Sequence, residues 1–226
     1  MRILEGERVT KYFGGLAAIS NVDFHIDQGD IVGLIGPNGA GKTTLFNLIS
    51  GALVLNSGAI RFKGEKISGL KPHQICRTGV ARTFQSVRVF ANISALGNVL
   101  LGSLFGTSTG MSSADATREA IGSLEFVGLA AVRAIPAKDL TLANQKRLEV
   151  AKALATRPEL LLLDELIAGL NPTETAQAME LVTRIRGRGI CRPFLGARCR
   201  ALVISENTIQ RDKLIAPRGF LQKQPK

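Results

Sequence analysis

Nowhere does the sequence run to the ~18 consecutive apolar residues that a bilayer-spanning helix needs, so no segment is expected to cross a membrane. The opening MRILEGERVTKYFGG has neither an apolar core nor a small-residue cleavage site, and a secretory leader is not expected. Cysteine is scarce. Cys76, Cys191 and Cys199 are odd in number and lack the paired spacing of a metal site, which fits free thiols in a reducing cytosol. Histidine is scarcer still, with only His25 and His73. There are no internal repeats and no low-complexity segment, and the composition excludes disorder, collagen and coiled coil.

What is present is an ordinary globular balance: 226 residues, 45% hydrophobic and 21% charged. That length suggests one domain or a domain and a half and can bury a core without disulfides. The net charge of +11 raises the question of nucleic acid, but its distribution answers against it. From residue 191 onward eight Lys/Arg stand against Glu206 and Asp212, so about half of the excess sits in the last segment. The body is only mildly basic, and nucleic acid is not the expected partner.

Two apolar runs, Asp30–Ile35 and Leu160–Leu163, are bounded by turn signals and read as strands buried on both faces of a parallel sheet. Upstream, VTKYFGG, LAAIS and NVDFHID alternate loosely and predict two or three antiparallel strands; Ser57–Gly64 reads as a further hairpin arm. Between Gln85 and Leu140 the pattern changes to an inserted helical lobe. There Ser112 or Ser113 can cap a helix carrying Ile121, Leu124 and Val127 before Gly128 stops it. A helix from about Asn144 shows Leu148, Ala151 and Ala155 on one face and ends before Pro158. Asn171-Pro172-Thr173-Glu174 carries the signature of a capping box with proline at the first helical position. The predicted fold is α/β: a parallel sheet with a small N-terminal antiparallel subdomain and an inserted helical subdomain.

Gly36-Pro-Asn-Gly-Ala-Gly-Lys42-Thr43 fits GxxxxGK[ST] between a predicted strand and a predicted helix. Glycines let the backbone curl so that successive N–H groups meet phosphate oxygens, and the helix N-terminus adds partial positive charge. Gly36, Asn38, Gly39, Gly41, Lys42, Thr43 and Thr44 are the expected nucleotide-binding residues. Lys42 can reach the β- and γ-phosphates, and Thr43 can offer its hydroxyl to Mg²⁺. Asp164-Glu165 ends the second strand. In a phosphate-loop fold an Asp there can hold Mg²⁺ and its neighbour can orient or deprotonate the attacking water; otherwise the pair is an ordinary helix cap at a strand end. The long separation of Lys42 from Asp164 exceeds a minimal βαβ layout and requires an inserted lobe.

In this order the motifs resemble the ATP-binding subunits of ABC transporters over residues 4–190: Tyr12-Phe13, GPNGAGKTT, Gln85 in RTFQ, LTLANQKRLEVAKAL and LLLLDE. TKYFGGLAAISNVDFHI, GVARTFQSVRVFANISALGNVLLG and AGLNPTET are similar to the branched-chain amino-acid importers among them. The resemblance implies that Phe13, or its neighbour Tyr12, stacks on adenine. It gives Gln85 a part in sensing Mg²⁺ or the attacking water and in coupling the helical lobe to a membrane subunit. Glu165 becomes the catalytic base, and Asp164, Thr43 and Gln85 the metal-binding set. Thr141 takes the serine position of the family signature and meets a γ-phosphate held by another subunit. Asn171 lies where the partner's nucleotide is faced, while also serving as a helix cap. The implied fold is that of a P-loop NTPase with a RecA-like parallel sheet, and the implied cofactors are ATP and Mg²⁺. The implied partners are membrane-spanning permease subunits and a second ABC ATPase, identical or not, at the cytoplasmic face of the cell membrane.

Departures from the family pattern are Ala143 where a glycine is usual, Leu166 where a proline is usual, and the absence of any histidine after Glu165. Resemblance stops near Ile190. Residues 1–190 therefore read as the ATPase domain, with the helical subdomain at about 86–140. Residues 191–226 read as an unassigned basic tail, either divergent or frame-shifted, in which Ala201–Ile204 can form a short strand. Alternatives to a working importer ATPase are a hydrolysis-deficient nucleotide-binding remnant and a soluble ABC protein acting on nucleic acid.

Overall fold

A computed structural model describes residues 1–106, 111–187 and 201–206. Its first half is built on strands β1 (Arg2–Phe13) and β2 (Leu16–Asp27), a long hairpin turning at Gly14-Gly15. β3 (Ile31–Ile35) leads into helix α1 (Lys42–Ile49), and β4 (Ser57–Phe62) and β5 (Glu65–Lys66) return to the hairpin. The antiparallel sheet has the order β2-β1-β4-β5. The expected two or three strands before Asp30 are thus two long ones.

Then come α2 (Pro72–Thr78) and the three-residue β6 (Val80–Arg82), neither of which the sequence pattern announces. The helical lobe holds α3 (Ala95–Phe105) and α4 (Ser113–Phe126). α5 (Leu142–Leu154), β7 (Leu160–Asp164), α6 (Pro172–Gly187) and β8 (Ala201–Glu206) complete the described chain. The second sheet is parallel throughout, in the order β3-β8-β7-β6. β8 falls within the stretch that the sequence sets apart as a tail, yet it pairs with β3 on one side and β7 on the other. The parallel sheet therefore includes chain from both sides of residue 190. The rest of that tail lies outside the described residues.

β7 shows why four consecutive leucines make a strand here. Leu160 and Leu162 pack with Phe46 of α1 and with Leu4, Ile60 and Phe62 of the antiparallel sheet. Leu161 and Leu163 turn to the opposite face, among Leu124 of α4, Leu148 of α5 and Leu181 and Ile185 of α6. All four leucines are fully buried, each contributing about 1.5–3 kcal/mol of apolar transfer. The strand is the seam between two cores, and its C-terminal end is held from both sides.

Local chemistry sets the helix ends. Ser94 Oγ accepts the Gly97 amide at the start of α3, and Ser112 Oγ accepts the Asp115 amide at the start of α4, both at 3.1 Å. Gly128, at φ 79°, follows the end of α4 as expected. At α6, Asn171 Oδ1 accepts the Glu174 amide at 2.9 Å and Glu174 Oε2 accepts the Asn171 amide at 3.0 Å, the reciprocal capping box. α3 crosses α5 so closely that a Cβ on Gly102 would lie 2.5 Å from the Lys152 carbonyl oxygen.

Candidate functional site

The loop between β3 and α1 runs along the rim of the parallel sheet at the C-terminal ends of its strands. Gly39 and Gly41 take left-handed φ values of 81° and 85°, a region open to glycine at little cost. At Gly41 space is also decisive, since a Cβ there would stand 2.6 Å from the Ala18 carbonyl oxygen of β2. That approach brings the β1–β2 hairpin against the loop. A small cavity there is lined by Ala18, Ile19, Val22, Leu34, Ala40, Gly41, Lys42 and Leu45. Gly41 caps α1 with no side-chain acceptor, so the first turn keeps backbone N–H groups for an anion.

Lys42 is buried to 8% exposure and curls back over the loop, where Nζ donates to the carbonyl oxygens of Gly36 at 2.5 Å and Pro37 at 2.9 Å. Asn38, Gly39 and Thr43 are exposed, and Thr44 is half-buried. Tyr12 and Phe13, at the hairpin tip, are exposed at 43% and 47%, and Lys11 Nζ sits 5.4 Å from the Phe13 ring centroid. Two exposed aromatics beside a phosphate-type loop offer a flat apolar surface for a base.

Asp164 ends β7 with its side chain fully buried. Its Oδ2 accepts from Arg82 Nη2 at 2.8 Å, while Oδ1 has no hydrogen-bond partner among the described residues. Thr83 Oγ1 accepts the Asp164 amide at 3.2 Å. Glu165 follows at φ 47°, a left-handed conformation uncommon for a residue with a side chain and a form of strain found at functional turns. Gln85 Nε2 donates to Glu165 Oε2 at 2.9 Å. From α5, the Lys146 ammonium donates to the carbonyl oxygens of Glu165 at 2.8 Å and Leu166 at 3.1 Å, clipping the turn after the strand.

Of the residues singled out from sequence, Gln85, Asp164 and Glu165 come together at the end of β7. The loop residues gather at the end of β3, one strand away across β8. Thr141 is at the N-cap of α5, exposed, with Oγ1 accepting the Asn144 amide at 3.3 Å. Ala143, in place of a glycine, is buried at 8% exposure in the first turn of that helix.

Sequence reasoning missed Arg82, whose guanidinium reaches Asp164 as well as Asn47 of α1 and Ser50 at its C-cap. It also missed Glu149 and Lys152 of α5, which hold the segment after Gln85. Glu149 Oε1 accepts the Arg88 amide at 2.9 Å, and Lys152 Nζ donates to the Arg88 carbonyl oxygen. Burial pushes the Glu149 carboxyl up and the Lys152 ammonium down from their ordinary values. The one available signal was charge on an otherwise apolar helix face.

A parallel sheet whose strand ends carry a glycine loop, a buried lysine and an acidic pair defines a P-loop nucleotide-binding protein. The chain belongs to the ABC transporter family, whose model matches residues 19–168. It is similar to the high-affinity branched-chain amino acid transport ATP-binding protein BraF of Pseudomonas aeruginosa, 41% identical over 196 residues covering 81% of this chain and 77% of BraF. LivG of Escherichia coli, named for the same transport, is 40% identical over 186 residues, covering 77% of this chain and 73% of LivG. Among solved structures, the ADP conformation of MJ1267, an ATP-binding cassette of an ABC transporter, superposes with a TM-score of 0.78 at 29% identity, covering 93% of this chain and 83% of that one. The chain is an ABC-type ATP-binding cassette. The two alternatives raised by its sequence, a nucleotide-binding remnant and a protein acting on nucleic acid, are not favoured by these similarities.

Proposed function

We propose that the chain is the ATP-hydrolysing, energy-coupling subunit of an importer for branched-chain amino acids. It works as one half of a dimer beneath separate membrane-spanning permease subunits, at the cytoplasmic face of the membrane. Among the described residues, no helix is long and apolar enough to cross a bilayer.

The observation that carries this reading is the meeting of Gln85 and Glu165 at the end of β7, in the same parallel sheet that presents the phosphate loop. Gly36, Asn38, Gly39, Gly41, Lys42, Thr43 and Thr44 bind the nucleotide phosphates through backbone N–H groups and the lysine charge. Phe13 stacks on the base. Thr43, Gln85 and Asp164 hold Mg²⁺. The unpartnered, buried Asp164 Oδ1 fits that role, because a buried carboxylate oxygen with no donor is costly and a hard cation satisfies it. When bound, Mg²⁺ supplies neutralising charge for the phosphates.

Glu165 takes the proton of the attacking water, and Gln85 orients that water and the carboxylate. The helix dipole of α5, with Thr141 at its start, is presented to the nucleotide of the partner subunit. Asn171 faces the same partner while capping α6. The exposed apolar side chains Phe90 and Ile93, which follow Gln85, and Ile135, whose carbonyl oxygen accepts the Ala95 amide, form the surface that meets the permease.

The test is complementation. Expression in a bacterium lacking its own ATP-binding subunit of this kind should restore uptake of labelled leucine, with Lys42→Ala as the inactive control. Purified protein that hydrolyses ATP but restores no uptake would refute the transport assignment while leaving the ATPase intact. No histidine follows Glu165, so phosphate release by the purified protein also reads whether Gln85 and Glu165 suffice for turnover. ATP binding without release would assign a nucleotide-binding module instead.

A further inference from the structure

Arg82 lies beside the site with its side chain only 5% exposed. Three groups from two other elements converge on it. Nη1 donates to Asn47 Oδ1 at 2.5 Å and to Ser50 Oγ at 3.2 Å, both on or just after α1; Nη2 donates to Asp164 Oδ2 at 2.8 Å. The guanidinium carbon lies 5.6 Å from the Phe46 ring centroid and 5.1 Å from that of Phe84. One side chain of β6 thus ties the helix that follows the phosphate loop to the carboxylate at the end of β7. Three residues further on, the same segment delivers Gln85.

A buried ion pair of this kind is a poor source of stability, because desolvation of both charges offsets most of their attraction. Its geometry is specific nonetheless. The planar fork holds Asp164 by one oxygen only and leaves Oδ1 unpartnered among the described residues. We propose that Arg82 is a positioning residue for the divalent cation: it fixes the Asp164 carboxylate by Oδ2, reserves Oδ1 for the metal, and ties that carboxylate to the phosphate-loop helix through Asn47 and Ser50. This rests on the assignment of Asp164 to Mg²⁺ made above.

The guanidinium also repels a cation, so two effects compete. Orientation of a metal-binding carboxylate by its outer partner is commonly worth about 10–100-fold in metal affinity. The charge term is blunted here because Arg82 already shares its charge with Asp164. Orientation wins, and removal of Arg82 weakens metal binding. Lysine cannot replace it, since a single ammonium on a flexible stem cannot span Asn47, Ser50 and Asp164 together.

The experiment titrates MgCl₂, and in parallel MnCl₂ read by electron paramagnetic resonance, into the full-length protein with a fluorescent ATP analogue. Nucleotide affinity in EDTA provides the metal-free reference. Arg82→Gln and Arg82→Lys should raise the Mg²⁺ midpoint about 10–100-fold while leaving metal-free nucleotide affinity within about 2-fold. A purely structural role would weaken both together and would overturn the proposal. So would an unchanged or lower midpoint, the result expected if charge repulsion dominates. Should neither variant fold by circular dichroism, Asn47→Ala carries the test: it removes the shorter of the two Nη1 bonds without removing the ion pair and should raise the midpoint about 3-fold or more. An unchanged midpoint there overturns the tie to α1. Asp164→Asn separates the two levels of inference. If that variant keeps the parent midpoint, Asp164 does not hold the metal and the underlying assignment fails, whatever Arg82 does.

Discussion

Gln85 and Glu165, far apart in sequence, are joined by a hydrogen bond of 2.9 Å from Nε2 to Oε2. One residue follows a three-residue strand by a short loop, and the other occupies a left-handed turn at the end of β7. The amide holds the carboxylate by one oxygen, while Lys146 holds the Glu165 backbone from below. In the proposed function, position and proton acceptance are thereby divided between two residues. The loop bearing Gln85 continues directly into Arg88, which α5 grips through Glu149 and Lys152. Movement of the helical lobe would therefore be felt at Glu165.

Glu165→Gln should bind ATP with parent affinity and lose turnover by about 10²–10⁴-fold, the range for removal of a general base. Isosteric replacement keeps a hydrogen-bonding partner for Gln85, so the turn should survive. The same variant should dimerise in ATP, because on the proposed function the unhydrolysed nucleotide keeps the two subunits joined through the start of α5. Phosphate release and sedimentation velocity read the two outcomes. Parent-like turnover would remove Glu165 from the role of base, and a strict monomer would count against the proposed dimer.

Lys42→Ala should abolish tight nucleotide binding. The ammonium is within 2.9 Å of two loop carbonyls, so it both braces the loop and supplies its one buried positive charge among the described residues of the loop. A charge-assisted hydrogen bond is worth about 1.5–3 kcal/mol, which sets the loss at about 10-fold or more for each phosphate contact. Equilibrium binding of a fluorescent ATP analogue measures it. Undiminished affinity would refute the assignment of the loop.

Gly41→Ala tests geometry instead of charge. The added methyl meets the Ala18 carbonyl oxygen at 2.6 Å and the residue must keep φ near 85°. Left-handed strain of about 1–2 kcal/mol adds to the clash, so both the thermal midpoint and nucleotide affinity should fall. Gly39→Ala has the same backbone strain at φ 81° but nothing within 4 Å of its Cβ, and should be the milder of the two. Equal losses would show that the contact with β2 is unimportant.

How much of this was legible beforehand follows from the range of each interaction. The phosphate loop and the capping box of Asn171 and Glu174 are local, closing within a few residues, so their sequence signatures translate directly into geometry. The leucines of β7 were legible because a strand buried on both faces needs no alternation. β6 was not, because Val80–Arg82 is too short to show a period and ends on an arginine. α3 is largely apolar with no polar stripe, so no helical face stands out. The insertion of β8 between β3 and β7 is a fact of strand order, which no local pattern encodes. Arg82 was invisible for the same reason: its partners Asn47, Ser50 and Asp164 come from elements that meet only in the folded sheet.

The pH dependence of stability should carry a component from Glu149. Burial raises its carboxyl above the ordinary 4.5, and hydrogen bonds from the Arg88 and Phe84 amides with the charges of Lys152 and Lys146 only partly oppose this. The folded protein thus binds this proton more tightly than the unfolded chain. The contribution is complete below 4.5 and is lost as pH rises through the folded value, because ionisation then favours the unfolded state. Glu149→Gln removes the titration while keeping an oxygen for the Arg88 amide. Relative to the parent it should gain stability as pH rises from 4.5 through the folded value, then hold a constant difference. Glu149→Ala leaves that partly buried amide without its charged acceptor and should cost about 1–3 kcal/mol. Urea unfolding at a series of pH values distinguishes them. If the parent instead gained on Glu149→Gln as pH rose, attraction from Lys152 and Lys146 would outweigh burial, and the carboxylate would be a stabilising charge at the joint between α5 and the Gln85 loop.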